Sequence, residues 1–420
     1  MTPRTPSSVA LFAGGCMTLA SLGFTAGAQA EGFVEDANFS LNLRNFYINR
    51  NFVDSDYPQS KGEEWTQSFI LNFQSGYTPG LVGFGVDALG LLAVKLDGGG
   101  GTYGTGLLPV HGAPGDRHPP DDFARLAVAA KAKFSETEVR VGEWMVVLPI
   151  LRSDDGRSLP QTFQGGMITS KEIKGLSLYG GQMRQNSPRD DGSMDDMFYG
   201  GASSDRFNFV GGEYELGAKT KVGAWHARLE DIYQQNYFQL LHTQPLGEGV
   251  ALTANLGYFT GKEEGSALAG DLDNKTYSGL FGLQVGGNTF YVGLQKVSGD
   301  NGWMRVNGTS GGTLANDSFN SAYDNANERS WQLRHDYNFA GMGVPGLTIM
   351  NRYISGDQIE AGGVDDGKEW GRESELAYTV QSGPLKSLNI KWRNSSIRRD
   401  YSATEFDENR LIFNYPLSLL

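Results

Sequence analysis

The sequence predicts an all-β protein: a transmembrane antiparallel β-barrel with long external loops and short periplasmic turns. Three observations lead there. Apolar and polar residues alternate with a period of two from one end of the chain to the other. The connections between these runs are short and long by turns. Beyond the first thirty positions, no apolar run reaches the roughly 18 residues that a membrane helix needs.

The alternation is easiest to read from Trp65 to Tyr77. Odd positions carry Trp65, Gln67, Phe69, Leu71, Phe73, Ser75 and Tyr77; even positions carry Thr66, Ser68, Ile70, Asn72, Gln74 and Gly76. That is the pattern of a strand with one apolar and one polar face. Leu411, Phe413, Tyr415, Leu417 and Leu419 oppose Arg410, Asn414 and Ser418 at the far end. Leu388, Ile390 and Trp392 oppose Lys391 and Arg393, and Trp331, Leu333 and Tyr337 oppose Arg334 and Asp336. Leu126, Val128 and Phe134 oppose Arg125, Lys131 and Lys133. A soluble sandwich also alternates. Here, however, Arg and Lys recur on the polar face of strands spread over the whole chain.

Short turns are expected at Tyr77–Gly83, Gly341–Gly346 and Ser382–Lys386. Long connections are expected at Asp97–Asp122, Gln185–Arg206, Gly299–Glu328 and Ser355–Arg372. At about 20 to 24 residues per strand and its connection, the length allows roughly 16 to 18 strands, enough to enclose a water-filled channel. No linker or composition break divides the chain, so residues 31–420 read as a single barrel domain.

Composition agrees. The 420 residues include 58 Gly, 18 Tyr and 23 Phe, against one Cys and five His, as suits many strands, many turns and aromatic girdles. A mean hydropathy of −0.36 is too low for a bundle of membrane helices. Residues 1–30 read as a cleaved export signal, with Arg4, an apolar stretch from Val9 to Phe24, and Ala28-Gln29-Ala30 before Glu31. Ala13-Gly14-Gly15-Cys16 is a rival lipoprotein site, but the apolar stretch runs on past Cys16. Cleavage would remove Arg4 and the sole Cys, leaving no disulfide or thiol chemistry. The net charge of −13 argues against nucleic-acid binding.

Over essentially all of residues 31–420 the sequence resembles the OprD family, the Occ or carboxylate-specific porins. The likeness lies in Gly32–Asp36, LRNFYINR (Leu43–Arg50), WTQSF (Trp65–Phe69), VGFGVDALG (Val82–Gly90) and KLDG (Lys95–Gly98). It continues in LPQT (Leu159–Thr162), LEDIY (Leu229–Tyr233) and TFYVGLQKVSGD (Thr289–Asp300). It ends in VPGLTIMNRYISGD (Val344–Asp357), YTVQSGP (Tyr378–Pro384) and the terminal ENRLIFNYPLSLL. The resemblance implies 18 strands, a monomer with a weak trimer as the alternative, inward-folded loops, and a ladder of basic residues facing an acidic patch. It also implies passage of small carboxylate solutes across the outer membrane, amid lipopolysaccharide. The last residue, Leu420, replaces the terminal Phe of many outer-membrane proteins, a departure the family shares.

Arg44, Arg352, Lys391, Arg393 and Arg410 stand on the polar face of strands and form the expected ladder. Arg44, Arg393 and Arg410 match family positions, and Lys391 stands where other members have Arg. A carboxylate leaving water needs replacement hydrogen bonds, and a guanidinium offers a planar charged fork. Several weak sites in series allow entry and release. Arg125 and Arg157 match positions near the constriction, and Asp121 and Asp122 are expected beside Arg125. The plainer alternative is a set of ordinary lumenal cations balanced by Asp336, Glu373 and Glu375. Acidic runs such as Asp154-Asp155, Asp190-Asp191 and Asp365-Asp366 read as solvated loops. The acid expected at the constriction favours amino acids or short peptides over cyclic or aromatic carboxylates.

No catalytic residues, cofactor or metal site is expected. Gly101–Gly106 lacks dinucleotide-site spacing, Asp271–Asn274 lacks a full calcium loop, and the His residues are scattered with no GxSxG elbow. An enzymatic barrel is the remaining alternative of a different class.

Overall fold

The computed structural model describes residues 32–420; the export signal, Arg4 and Cys16 fall outside the described residues. Eighteen antiparallel strands close on themselves. They are β1 (Asn38–Phe52), β2 (Lys61–Gln74), β3 (Gly83–Asp97), β4 (Asp122–Phe134), β5 (Thr137–Trp144) and β6 (Thr162–Ser170). Then come β7 (Leu176–Ser187), β8 (Phe207–Leu216), β9 (Thr220–Leu229), β10 (Tyr233–Gly247), β11 (Val250–Glu263) and β12 (Asp273–Val285). The last are β13 (Asn288–Ser298), β14 (Arg329–Asn338), β15 (Leu347–Ala361), β16 (Val364–Thr379), β17 (Asn389–Arg399) and β18 (Phe406–Ser418). Each strand pairs with its sequence neighbours, and β1 pairs with β18 from Ser40↔Ser418 to Phe52↔Phe406. Only such closure gives every backbone N–H and C=O a partner within a bilayer.

The period-two pattern sorts side chains as expected. On β4, Leu126 is 69 % exposed and Val128 45 %, while Ala127 and Ala129, which alternate with them, are buried. Outward rings mark an upper girdle: Trp331 and Tyr353 lie 5.7 Å apart between centroids, and Tyr353 and Trp370 6.0 Å. Tyr337 and Tyr378 lie at the other end of the same strands, with Leu333 and Leu376 between.

Short turns and both ends of the strand series gather on one side, the side such barrels turn to the periplasm. The long connections gather on the other. One expected long loop is different: Ser355–Arg372 is a strand extension. β15 and β16 continue to a two-residue turn at Gly362–Gly363, with φ of 61° and 83°. That left-handed geometry suits glycine, and a Cβ on Gly362 would stand 2.3 Å from the Tyr401 carbonyl oxygen.

The lumen is also fuller than barrel size alone suggests. The loops spanning 145–161 and 299–328 fold inward and pack against one side. Val146, Leu148, Ile150, Leu151, Trp303, Met304, Val306 and Leu314 join Phe207, Tyr233, Tyr237 and Phe259 of the wall in one buried apolar cluster. Tyr237 and Phe259 stack at 4.1 Å, and Trp303 approaches Phe259 at 5.0 Å. Burial of this apolar surface holds the loops inside, and displaces the charged pathway towards the opposite wall.

A charge placed on the outer face exposes the distinction between the two faces. Val128→Arg, in mid-strand on β4, should lower the unfolding free energy in urea by about 2–4 kcal/mol.

Candidate pore constriction and basic ladder

All five expected ladder residues lie on the inner wall, on β1, β15, β17 and β18. Register places Arg352 opposite Glu373, Arg393 opposite Glu375, and Arg393 opposite Arg410 on the next strand. Lys391 pairs with Ile412, and Arg44 with Asn414 across the β1–β18 seam. Cations on adjacent strands therefore face a common space.

Each guanidinium is already bonded. Arg352 grips Glu373 through Nε and Nη2 at 2.6 and 2.5 Å. Arg393 Nε donates to Glu375 at 2.5 Å. Glu408, wholly buried, takes Arg410 Nε on one oxygen and Arg50 Nε and Nη2 on the other, at 3.0 and 2.7 Å. Arg44 meets Asp155 of the 145–161 loop with both terminal nitrogens, at 2.8 and 3.2 Å. Lys391 is the one ladder cation with no carboxylate within ion-pair distance among the described residues. Glu375, Arg393, Arg44 and Asp155 surround it.

The tip of the 299–328 loop sits on this wall. The Phe319 ring centroid is 4.1 Å from Arg393 Cζ, 4.9 Å from Arg352 Cζ and 5.8 Å from Arg410 Cζ. Its own N–H donates to Glu373 at 2.9 Å, and its carbonyl accepts from Arg410 at 3.0 Å. Asn320 adds bonds to Arg410 and Ser395, and the Asp317 carbonyl accepts from Arg352. One aromatic ring is thus shared by three guanidiniums, each drawn to its quadrupole. Nothing in the sequence marks Phe319, because it stands in a loop without periodicity.

Arg157 and Arg125, expected near the constriction, are tied to loop carbonyls. Arg157 is buried; its Nε donates to the Thr105 carbonyl at 2.9 Å, and its own carbonyl accepts from Arg44 at 2.7 Å. Arg125 donates to the carbonyls of Pro188 and Pro160 and to Ser187 Oγ. Asp121 and Asp122 do not join them. Asp121 is 92 % exposed in its side chain and pairs with Lys95 at 2.7 Å, and Asp122 is exposed at the start of β4. On β4, Asp122 and Arg125 are three residues apart, an odd step that points them to opposite faces.

The acids beside the ladder come instead from inward loops, among them Asp154-Asp155, a run expected to be solvated. Asp154 bonds Arg189 at 2.6 Å; burial would raise its pKa, but Arg189 and Arg157 hold it below the usual carboxylate range. Asp317 is half-buried beside the pore. Burial pushes its carboxyl up to about 7, against the pull of Arg305 and Arg352. These residues stand together only because the loops fold inward, which alternation cannot encode.

Glu408 tests the wall's charge balance. Glu408→Gln leaves Arg50 and Arg410 facing one another with no carboxylate, and should cost about 3–5 kcal/mol in urea unfolding.

Residues 31–419 match the family described as outer membrane porin, OprD family. The fold is similar to a BenF-like porin from Pseudomonas fluorescens Pf-5, with 66 % identity and a TM-score of 0.91, over 92 % of this chain and 100 % of that one. It is similar to Pseudomonas aeruginosa OccK2 (OpdF) solved in complex with glucuronate, at 58 % identity and TM-score 0.84, over 93 % and 99 % of the two chains. Pseudomonas aeruginosa OpdK solved with vanillate is 47 % identical, with a TM-score of 0.87 over 92 % and 100 %. The closed 18-stranded barrel with its inner basic wall belongs to the OprD family of outer membrane porins.

Proposed function

We propose that this porin passes small carboxylates by passive diffusion along Arg44, Arg352, Lys391, Arg393 and Arg410, and that cyclic and aromatic acids are preferred. The observation that carries this reading is the Phe319 ring shared by Arg352, Arg393 and Arg410. A planar acid sliding past it offers a carboxylate to the guanidiniums and a flat ring to the same aromatic and cationic surfaces. Two relatives, solved with a sugar acid and with an aromatic acid, support the same class.

The expectation of amino acids or short peptides rested on Asp121 and Asp122 at the constriction, and those two stand elsewhere. The carboxylates beside the ladder are held by arginines: Asp155 by Arg44, Glu373 by Arg352, Glu375 by Arg393, Glu408 by Arg410. Apart from Asp317, a substrate ammonium finds little uncommitted negative charge there. Each barrel carries a whole ladder and constriction, so a monomer suffices for transport.

Planar-bilayer recording with benzoate, glucuronate, arginine and a Gly–Glu dipeptide tests this. Benzoate and glucuronate should block current at lower concentration than arginine. Lys391→Ala should raise their half-blocking concentrations about tenfold, the loss of roughly 1.4 kcal/mol. Stronger block by arginine would restore the amino-acid reading, and the absence of any block would make the protein a general porin.

Asp317 adds a pH dependence. Its carboxyl, raised to about 7, is neutral below that pH and charged above it. The pore therefore gains one negative charge between pH 6 and pH 8. The chloride-over-potassium permeability ratio should fall over that interval, and stay flat in Asp317→Asn.

A further inference from the structure

The Arg44–Asp155 pair differs from every other ion pair of the ladder. Glu373, Glu375 and Glu408 sit on barrel strands, where backbone pairing on both sides fixes them. Asp155 sits on an inward loop, and its side chain is 33 % exposed, against 3 % for Glu373, 19 % for Glu375 and 0 % for Glu408. It faces the water of the pore while gripping an arginine that is only 6 % exposed.

The rest of that loop is anchored without Asp155. Ser158 Oγ lies 2.8 Å from Thr66 Oγ, Gln161 bonds Asn186 at 3.1 Å, and Asp154 Oδ1 accepts the Gly156 N–H at 2.6 Å. Arg157 is tied to Thr105. Rotation of the Asp155 side chain alone therefore releases Arg44, with no loop opening. Arg44 stays in place when this happens, because Asn414 Oδ1 at 3.0 Å and the Arg157 carbonyl at 2.7 Å still hold it. The vacated half of the guanidinium is a preformed two-pronged carboxylate receptor, with Lys391 beside it.

We infer that Asp155 is a tethered competitor for the solute's carboxylate at Arg44, and that it sets how long the pore holds its substrate. This rests on the carboxylate-porin reading above and deepens it. When a solute arrives, one carboxylate takes the place of another on Arg44, so the buried guanidinium spends little time unpaired. When Asp155 swings back onto Arg44, it displaces the solute. The apparent affinity of a site is its intrinsic affinity reduced by the fraction of time it stands free. If Asp155 occupies Arg44 for about nine-tenths of the time, its removal strengthens binding about tenfold.

The test is single-channel recording with benzoate as the blocking solute, in wild type, Asp155→Asn, Asp155→Glu, Arg44→Gln and the Arg44→Gln/Asp155→Asn double variant. Asp155→Asn should lower the half-blocking concentration about tenfold, and blocked dwell times should lengthen because no side chain returns to displace bound benzoate. Asp155→Glu should stay near wild type. Arg44→Gln should weaken block, and on that background Asp155→Asn should have no further effect. Unchanged block in Asp155→Asn overturns the inference. So does a rise in open-channel conductance with unchanged dwell times, which would make Asp155 a loop anchor. An effect of Asp155→Asn that persists without Arg44 overturns it too. If benzoate and glucuronate fail to block wild type, the carboxylate-porin reading falls first; block in wild type that ignores Asp155 leaves that reading standing.

Discussion

Everything else in this molecule depends on the pairing of β1 with β18. A strand in hydrocarbon cannot leave an edge open, since each unpaired N–H or C=O costs several kcal/mol there. The seam from Ser40↔Ser418 to Phe52↔Phe406 removes the last edge. Closure also fixes the parity of every strand, because a slip of one residue would turn each lumenal arginine towards lipid. The seam sets function as well as insertion. Arg44 on one side of it and Arg410 on the other become part of one wall, although they stand at opposite ends of the chain.

A barrel of this circumference has more interior than a selective pathway needs. The apolar faces of the 145–161 and 299–328 loops fill part of it by packing against Phe207, Tyr233, Tyr237 and Phe259. That packing is ordinary hydrophobic burial, but it has an electrostatic consequence. It excludes water from one side and brings Phe319, Asp154, Asp155 and Asp317 against the cationic side. The narrow region thus has one wall of fixed strand residues and another of loop residues, and the two meet through guanidiniums.

The division between legible and illegible residues follows the same line. Arg44, Arg352, Lys391, Arg393 and Arg410 could be placed from sequence because parity alone decides which face a strand residue takes. The same rule, applied to Asp122 and Arg125, already separates them. Phe319 and Asp155 could not be placed, since a loop's path is set by what it packs against. The chain from Ser355 to Arg372 was hard for another reason. Its polar residues read as a loop, whereas they are the solvated upper part of two long strands that reach Gly362–Gly363 beyond the membrane. Polarity there reports depth relative to the bilayer, not the absence of a strand.

A ladder whose arginines are all bonded to carboxylates looks at first like a poor conductor of anions. The opposite follows from the cost of leaving a buried charge alone, about 3–5 kcal/mol when one partner of such a pair is removed. Bare arginines in a narrow pore would regain that energy by seizing the first carboxylate to arrive, and would release it slowly. Arginines with resident partners gain little from a solute, because one ion pair is traded for a similar one. Binding of a carboxylate would then stay shallow at each step. Conduction asks for this combination of favourable entry and easy release. The resident carboxylates of the wall flatten the energy profile along the ladder. On the proposed reading, Lys391, which has no such partner among the described residues, stands one strand away from Arg410 and beside the Arg44–Asp155 pair.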